Sequence, residues 1–277
     1  MKTAETLEQL WQARAKLPGP VGLVPTMGYL HEGHLMLVQQ SKQTCASTVV
    51  SIFVNPTQFG PGEDLTSYPR DLDRDLSLLE KIGTDLIWIP KAEEMYPPNY
   101  QTWVEATEVA QPLEGGFRPG HFKGVTTVVA KLFNAVRPDK AFFGQKDAQQ
   151  VAVIKQMTRD LTYPIEIEIV PTVREGDGLA MSSRNTYLDE AQRQAATVLH
   201  RALRAAEAAY EAGERSGTAI RKILANTIAA EPLASVQYVS CADKLTLHEL
   251  ETITDGALLS MAVYVGKTRL IDNWILE

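Results

Sequence analysis

The stretch PTMGYLHEGH, residues Pro25 to His34, connects an apolar segment to an amphipathic one. The segment before it, Val21 to Val24, is typical of a buried strand, and the residues from Leu35 onward repeat with a helical period. We therefore predict a strand, a turn and the start of a helix. The first N–H groups of a helix have no intrahelical partner and lie at the positive end of the helix dipole, so this turn favours an anion such as phosphate.

Two histidines and two glycines give the turn its chemical character. His31 and His34 are three residues apart and are predicted to share one face of the first helical turn. Gly28 and Gly33 remove side chains where a ligand approaches the backbone closely. The HEGH spacing differs from the HExxH pattern of zinc proteases, which argues against that class. Half of another metal site and an ordinary polar surface remain as alternatives to phosphate binding.

Strand-like and helical segments alternate on both sides of this turn as far as residue 170. Further strands are predicted at Thr48–Val54, Asp85–Ile89, Ala141–Phe143 and Ile165–Val170. Helices are predicted at Leu7–Arg14, at Asp71–Ile82, from Val125 to Pro138 and after Asp147. This alternation predicts an α/β fold with a doubly wound parallel sheet, whose ligands bind at the carboxyl ends of the strands.

The remainder of the chain lacks that alternation. Asp189 is predicted to cap one long Ala-rich helix, with Gln192 at the position of a capping box and Gly213 just past the end of the helix. A further helix is predicted at Thr218–Ala229, and strands at Val236–Ser240, at Leu258–Val265 and after the Gly266-Lys267 turn. We therefore predict a second, smaller α+β domain, and we place the two domains at 1–175 and 176–277.

Composition and charge narrow the functional classes. The 277 residues, 44% hydrophobic and 22% charged, are typical of a globular protein. A net charge of -7 argues against a nucleic-acid partner, although a local basic pocket is compatible with it. Cys45 and Cys241 are too far apart and too isolated for a metal cluster or a disulfide framework. We therefore expect two free thiols in a reducing compartment. Because no targeting pattern or membrane-length apolar run is present, we expect a cytoplasmic protein without a membrane partner.

Four segments at strand ends or in the crossover carry a resemblance: PTMGYLHEGH, VNPTQF (54–59), GQKDAQQ (144–150) and MSSRN (181–185). In this order they resemble the pantothenate synthetase family, and the likeness continues through RPGHF (118–122) and PTVRE (171–175). The resemblance implies a Rossmann-like domain of the HIGH-motif nucleotidyltransferase superfamily, a smaller C-terminal lid and a homodimer. It also implies ATP-dependent ligation of (R)-pantoate and β-alanine through a pantoyl adenylate, releasing pyrophosphate and AMP, in coenzyme A precursor biosynthesis.

The resemblance also implies roles for individual positions. ATP is expected to contact Met27, Gly28, Tyr29, Leu30, His31, Glu32, Gly33, His34, Gly144, Gln145, Lys146, Asp147, Val173, Met181, Ser182, Ser183 and Arg184. Within this set the expected catalytic residues are His34 as proton donor, His31 as its partner on the phosphates, Lys146 and Arg184. A guanidinium can bind two phosphate oxygens at once, which suits Arg184 to a loop that closes over the triphosphate. Gln58 and Gln150 are expected to bind pantoate, with Gln58 also near β-alanine.

Several positions have structural alternatives. Asp147 and Gln150 have the spacing of a capping box and could simply begin a helix. Arg118 and His121 could line the site or cap a helix at Gly124. Ala148 departs from the family, which more usually has an aromatic residue there, and this affects packing beneath the nucleotide rather than the chemistry.

The use of ATP implies Mg²⁺, which commonly binds through phosphates, waters and one or two carboxylates. Asp73, Asp75 and Asp147 are candidates, and the sequence does not choose among them.

Three rival functions follow from the same residues. Another HIGH-motif nucleotidyltransferase should have a cationic acceptor pocket, whereas this chain has Gln58 and Gln150 at the corresponding place. A tRNA synthetase would need a basic RNA-binding face, which the net charge does not indicate. A non-catalytic nucleotide sensor would have no use for the two histidines, Lys146 and a Ser-Arg loop together.

Overall fold

The computed structural model describes every residue from 1 to 277 and contains two separate β-sheets. The strands of the first sheet are β1 (Lys2–Ala4), β2 (Val21–Thr26), β3 (Ser47–Ile52), β4 (Leu86–Trp88), β5 (Lys140–Gly144) and β6 (Glu166–Val170). They are all parallel, in the order β1-β4-β3-β2-β5-β6. The strands of the second sheet are β7 (Ala234–Ala242), β8 (Ala257–Val265) and β9 (Thr268–Leu276), and they are antiparallel in sequence order.

Ten α-helices connect and cover these sheets. They are α1 (Leu7–Arg14), α2 (Glu32–Thr44), α3 (Leu72–Lys81), α4 (Ala92–Met95), α5 (Glu114–Phe117), α6 (His121–Val136), α7 (Ala148–Asp160), α8 (Glu190–Ala195), α9 (Val198–Glu211) and α10 (Gly217–Ala229). The predicted α/β fold with a doubly wound parallel sheet and a smaller α+β part is thereby confirmed. The second part consists of α8, α9, α10 and the antiparallel sheet.

The strand order fixes where a ligand can bind. From β2 the chain proceeds outward through β3 and β4, then returns to place β5 and β6 on the other side of β2. The order of the strands therefore reverses between β2 and β5, which is where doubly wound sheets bind their ligands, outside the carboxyl ends of the strands. The residues just beyond those two ends are Met27 and Gln145.

Helices bury both faces of the parallel sheet. One apolar cluster joins it to α1, α6 and α7 and includes Leu10, Phe133 and Ile154. Another joins it to α2 and α3 through Val38 and Leu79. Every residue of β3 is buried, as expected for a strand covered on both sides. Burial of one such large apolar side chain contributes about 1.5–3 kcal/mol, so these clusters hold the strand ends in fixed positions.

The predicted long Ala-rich helix is wrong in one respect, because the chain forms two helices there. The capping box of Asp189 and Gln192 is present at the start of α8. The break follows at Thr197, whose N–H and hydroxyl both donate to the carbonyl of Gln194, at 3.3 and 2.8 Å. A continuous helix would pair that carbonyl with the amide four residues further on, so Thr197 tightens the turn and α9 begins anew.

The second sheet has an apolar cluster of its own. Side chains from α9 and α10, among them Leu203 and Leu224, pack on Leu259 and Met261 of β8. No helix of the molecule has both the length and the apolar character required to cross a bilayer.

Candidate active site

The PTMGYLHEGH turn lies at the carboxyl end of β2 and leads into α2, with His31 as the N-cap residue. The Nδ1 atom of His31 accepts a hydrogen bond from the N–H of Gly33 at 3.2 Å. The Nδ1 atom of His34 accepts one from the N–H of His31 at 3.3 Å. A ring nitrogen that accepts carries no proton, so each neutral imidazole holds its proton on Nε2. Both histidines line the cleft beyond the strand ends.

Both imidazoles are neutral at neutral pH. Burial, followed by the charge of Lys146, lowers the pKa of His31 to about 4. Burial, followed by the neighbouring His31 and then Lys146, lowers the pKa of His34 well below its ordinary value. The two rings, whose centroids are 4.0 Å apart, therefore present hydrogen-bond donors rather than charges to an incoming anion.

Asp75 of α3 holds the first half of this turn. Its two carboxylate oxygens accept the N–H groups of Tyr29 and Leu30, each at 2.7 Å. Tyr29 has a φ of +50° and Gly28 one of +80°, conformations that such fixed hydrogen bonds stabilise. Burial raises the pKa of Asp75, although these two N–H groups favour its ionised form. Because both oxygens are engaged with the backbone, Asp75 is unsuited to the metal role considered for it.

Lys146 belongs to a short 3₁₀ turn, Gln145–Asp147, between β5 and α7. Its ammonium is 3.8 Å from the carboxylate of Asp147, and both residues line the cleft. Asp147 precedes α7 but makes no side-chain capping hydrogen bond. The capping box considered for Asp147 and Gln150 is therefore not formed, and Gln150 also lines the cleft.

Gln58 is held in place by Asn55. The buried Asn55 amide donates to the side-chain oxygen of Gln58 and to the carbonyl of Gly124, both at 3.1 Å. Its own oxygen accepts from the hydroxyls of Thr57 and Tyr96, both at 2.9 Å. With its oxygen bound to Asn55, Gln58 is oriented along one wall of the cleft.

The Ser-Arg loop, residues 181–184, lies between β6 and α8 and forms another wall of the cleft. The hydroxyl of Ser182 accepts the N–H of Arg184 at 3.3 Å. The buried Ser183 lies 3.2 Å from the hydroxyl of Tyr68. The Arg184 guanidinium forms two hydrogen bonds to the carboxylate of Asp64, at 2.9 and 2.8 Å.

Most of the predicted ligand-binding residues meet in one cleft with a cavity volume of about 220 Å³. Those that line it are Met27, His31, Gly33, His34, Gln58, Gly144, Lys146, Asp147, Gln150, Val173, Met181, Ser182, Ser183 and Arg184. A neighbouring cavity of about 690 Å³ shares Lys146, Asp147, Ser182 and Arg184 with it.

Five of the predicted residues do not line this cleft. Gly28 forms the turn, Tyr29 packs its ring against the Arg74 guanidinium, and Leu30 is buried in the core. Glu32 is exposed on the first turn of α2, and the Gln145 side chain donates to Asn273 at 3.0 Å. These five residues thus belong to the segments that carry cleft residues such as His31 and Lys146, but they do not line the cleft themselves.

Arg118 and His121, for which the sequence allows a structural alternative, both line the cleft. Helix α6 begins at His121, directly after Gly120 with its left-handed φ of +83°, and has no side-chain cap hydrogen bond, so the cap considered at Gly124 is not formed. A Cβ at Gly124 would lie 2.4 Å from the carbonyl oxygen of Thr57, so the glycine lets α6 approach the Gln58 turn. The RPGHF segment was the sequence signal for these two side chains.

His121 has a defined tautomer. Its Nδ1 is 2.8 Å from the carbonyl oxygen of Gln58, which can only accept, so Nδ1 carries the proton. Its Nε2 then accepts from Arg118 at 3.1 Å. Arg118 also forms two hydrogen bonds to Glu63, both at 2.8 Å.

The whole chain is similar to proteins of known family. Residues 1–275 match the family model described as pantoate-beta-alanine ligase. Pantothenate synthetases from Chloroflexus aurantiacus and Herpetosiphon aurantiacus are 59% and 58% identical, covering all of this chain and 99% and 100% of those proteins. The chain belongs to the pantoate-beta-alanine ligase family.

Solved structures of this ligase family have the same fold. The pantothenate synthetase of Thermus thermophilus is 46% identical with a TM-score of 0.95, and 99% of each chain is covered. The pantoate-beta-alanine ligase of Francisella tularensis, solved in complex with beta-gamma ATP and beta-alanine, is 34% identical with a TM-score of 0.84. That comparison covers 99% of this chain and 97% of the other. The present chain is thus a ligase by family, as the resemblance implied.

The carboxylates of this ligase do not form a preformed metal-binding site. No group of three or more histidine, cysteine or acidic side chains is arranged to hold an ion. Asp73 is exposed and does not line the cleft, and Asp75 is engaged with the backbone. Of the three candidates, Asp147 alone lines the cleft and makes no cap hydrogen bond, which fits an ion held mainly by phosphates and waters.

Proposed function

We propose that this cleft ligates pantoate and β-alanine at the expense of ATP, through a pantoyl adenylate held on the enzyme. One observation carries the proposal: two cationic side chains, Lys146 and Arg184, border the same cleft as two neutral imidazoles and the amides of Gln58 and Gln150. The Francisella tularensis relative was solved with beta-gamma ATP and beta-alanine, which supports the same two ligands here.

The first step forms the adenylate. The pantoate carboxylate, with a pKa near ~4 when free, is already ionised at neutral pH and needs no general base. Its oxygen forms a bond to the α-phosphorus while the bond from that phosphorus to pyrophosphate breaks. Negative charge grows on the leaving pyrophosphate, and we assign its stabilisation to Lys146, Arg184 and the Nε2–H groups of His31 and His34.

The second step transfers the acyl group. The uncharged amine of β-alanine attacks the acyl carbon, forming a C–N bond while the bond to the AMP oxygen breaks, and the amine releases a proton. We assign pantoate to Gln58 and Gln150. Neutral amides orient a carboxylate and a hydroxyl without the strong ground-state ion pair that would reduce the attack of the carboxylate on phosphorus.

Asp147 would be the protein ligand of Mg²⁺ in this cleft. Bound to the nucleotide, the ion would neutralise phosphate charge, as Mg²⁺ commonly does with one or two carboxylates and several waters. The side chains of Met27, Val173 and Met181 would then border the nucleotide.

A different nucleotidyltransferase of the HIGH-motif superfamily is the rival function. Its phosphorylated acceptor would need a free cation beside Gln58, and Arg118 is the cationic side chain there. Its guanidinium is paired with Glu63 and lies 3.7 Å from Glu114. Two carboxylates face Arg118, whereas Asp64 alone is paired with Arg184. Arg118 therefore offers an acceptor phosphate little net positive charge, which favours the pantoate assignment.

We also propose that the protein acts as a cytoplasmic homodimer, with domains at 1–175 and 176–277. Two free cysteines and the biosynthetic reaction support the compartment, and the separate apolar cluster of the antiparallel sheet supports the division. Light scattering coupled to size exclusion measures the oligomeric state.

Isotope exchange between pyrophosphate and ATP tests the function. Exchange should occur with pantoate and without β-alanine, because the adenylate forms reversibly before the amine is used. Exchange that does not depend on pantoate would overturn the assignment. Exchange supported only by a phosphorylated acceptor would favour a different nucleotidyltransferase.

A further inference from the structure

Two turns lie beside residues that we assign to the nucleotide: Gln145–Asp147, which presents Lys146, and residues 174–178, which follow Val173. We call them the nucleotide turns. Strand β9 of the antiparallel sheet contacts both through two consecutive buried residues, Asp272 and Asn273. The Asn273 amide nitrogen donates to the carbonyls of Gln145 and Lys146, at 2.9 and 2.8 Å. The Asn273 oxygen accepts from the Gln145 side chain at 3.0 Å. All the hydrogen-bonding groups of this side chain are thus directed at the turn that presents Lys146.

Asp272 makes the matching contact to the other turn. Its carboxylate accepts two hydrogen bonds from Arg174, at 2.7 and 2.9 Å. Arg174 follows Val173 directly, and the carbonyl of Val173 accepts the N–H of Met181 at 3.0 Å. The same guanidinium donates to the carbonyl of Gly178 at 3.0 Å, so Asp272 fixes the base of the Ser-Arg loop through one side chain.

We propose that Asp272 and Asn273 are positioning residues that set the nucleotide turns from the C-terminal sheet. The inference rests on the proposed function, since it assumes that Lys146 acts on the phosphates of ATP. A lysine ammonium lies at the end of a four-carbon stem, so the region that it can reach is centred on its own Cα and shifts with the peptide groups that hold that Cα. Asn273 holds the peptide carbonyls of Gln145 and Lys146 and thereby fixes the direction in which the Lys146 side chain leaves the backbone.

A displacement of about 1 Å in a catalytic group can lower a rate by roughly a hundredfold. We therefore expect Asn273→Ala and the isosteric Asn273→Asp, which both lose the donor, to lower pantoate-dependent pyrophosphate exchange by roughly tenfold to a hundredfold. The KM for ATP should rise, and the KM for pantoate should stay within about twofold, because β9 forms no hydrogen bond to Gln58 or Gln150. Tyr238→Phe is the matched control. It removes another hydrogen bond between the two parts of the chain, from the Tyr238 hydroxyl to Glu114 at 2.9 Å, but Tyr238 makes no hydrogen bond to either turn.

A double-mutant cycle separates positioning from general support of the fold. If Asn273 acts through Lys146, then Asn273→Ala should have little further effect on exchange in a Lys146→Ala background. Additive losses, or variants that exchange like the unmodified enzyme, would overturn the inference. Losses that only match the unfolded fraction seen in urea titration would overturn it as well. An unmodified enzyme whose exchange does not depend on pantoate would instead refute the proposed function.

Discussion

Arg184 and Asp64 form a two-point ion pair where the cleft meets the neighbouring cavity, with Nε and Nη2 of the guanidinium 2.9 and 2.8 Å from the carboxylate oxygens. Arg184 is the residue we assign to the triphosphate, and a ligand meets its guanidinium already paired with a carboxylate. Asp64 is carried by the segment that follows the Gln58 turn, and the next residue toward the N-terminus, Glu63, pairs in the same way with Arg118. The nucleotide must therefore compete with a resident carboxylate for Arg184.

Removing that competitor should strengthen ATP binding. The Arg184 and Asp64 side chains are 30% and 21% exposed, so the pair is partly screened by solvent and contributes at most about 1 kcal/mol. We expect Asp64→Asn to lower the KM for ATP by roughly twofold to fivefold, most clearly at low salt. Glu231→Gln, which breaks the remote ion pair with Arg201, is the control and should leave that KM unchanged. A KM that is unchanged or higher in Asp64→Asn would mean that Asp64 assists the active site.

The architecture was predictable from the sequence because it depends on patterns with a short range. Apolar runs and helical periods placed β2, β3 and α6, and the strand-end motifs placed His34, Lys146 and Gln58 in one cleft. The sequence did not predict the four-residue helices α4 and α5 or the three-residue strand β1, since segments this short show no period. The break at Thr197 depends on one hydroxyl and could not be seen in an alanine-rich pattern.

Contacts between distant residues were the part that the sequence could not supply. Asp64 and Arg184 are 120 positions apart, and Asn273 and Lys146 are 127 apart. No local pattern reports on such a pair, because only the folded sheet brings its members together. Asn55 belongs to the VNPTQF motif, but its role in orienting Gln58 depends on hydrogen bonds that the spacing alone does not define.

Removing Lys146 or His34 should separate the catalytic role of the cleft from its binding role. We expect Lys146→Ala and His34→Ala each to lower turnover by roughly a hundredfold or more, the range found when one donor to a developing charge is lost. His248→Ala is the control and should have normal turnover, because His248 is exposed and does not line the cleft. Single-turnover formation of the adenylate measures the effect directly. Near-normal rates in either variant would assign that residue a structural role.

Acid should weaken the fold through His121. Burial, and next the charge of Arg118, lower the pKa of His121 to about 4, while its hydrogen bond to Gln58 and the carboxylates of Glu114 and Glu63 oppose the shift. Between pH 6.5 and about 4 the unfolded chain binds a proton at this residue that the native chain does not. The free energy of unfolding therefore falls as the pH falls through this window.

The non-titrating variant His121→Asn isolates that contribution. Its free energy of unfolding should depend less steeply on pH between 6.5 and 4 than that of the unmodified protein, by up to about 1.4 kcal/mol per pH unit. Urea titrations at half-unit intervals measure the difference, and carboxylates elsewhere cancel in the comparison. Parallel curves for the two proteins would show that His121 titrates in the native state much as it does in the unfolded chain.

Loss of the Asn55 amide should affect pantoate more than ATP. Asn55→Ala frees the side-chain oxygen of Gln58 and leaves the carbonyl of Gly124 without this donor, which costs about 1–3 kcal/mol of stability for a buried group. We expect the KM for pantoate to rise by roughly tenfold or more, with the KM for ATP changed by less than about threefold. Tyr96→Phe removes only the hydroxyl that donates to the side-chain oxygen of Asn55. The hydrogen bond from the Asn55 nitrogen to Gln58 remains, so pantoate binding should be nearly normal. Equal losses for both substrates in Asn55→Ala would indicate a collapse of the whole cleft instead of a misplaced Gln58.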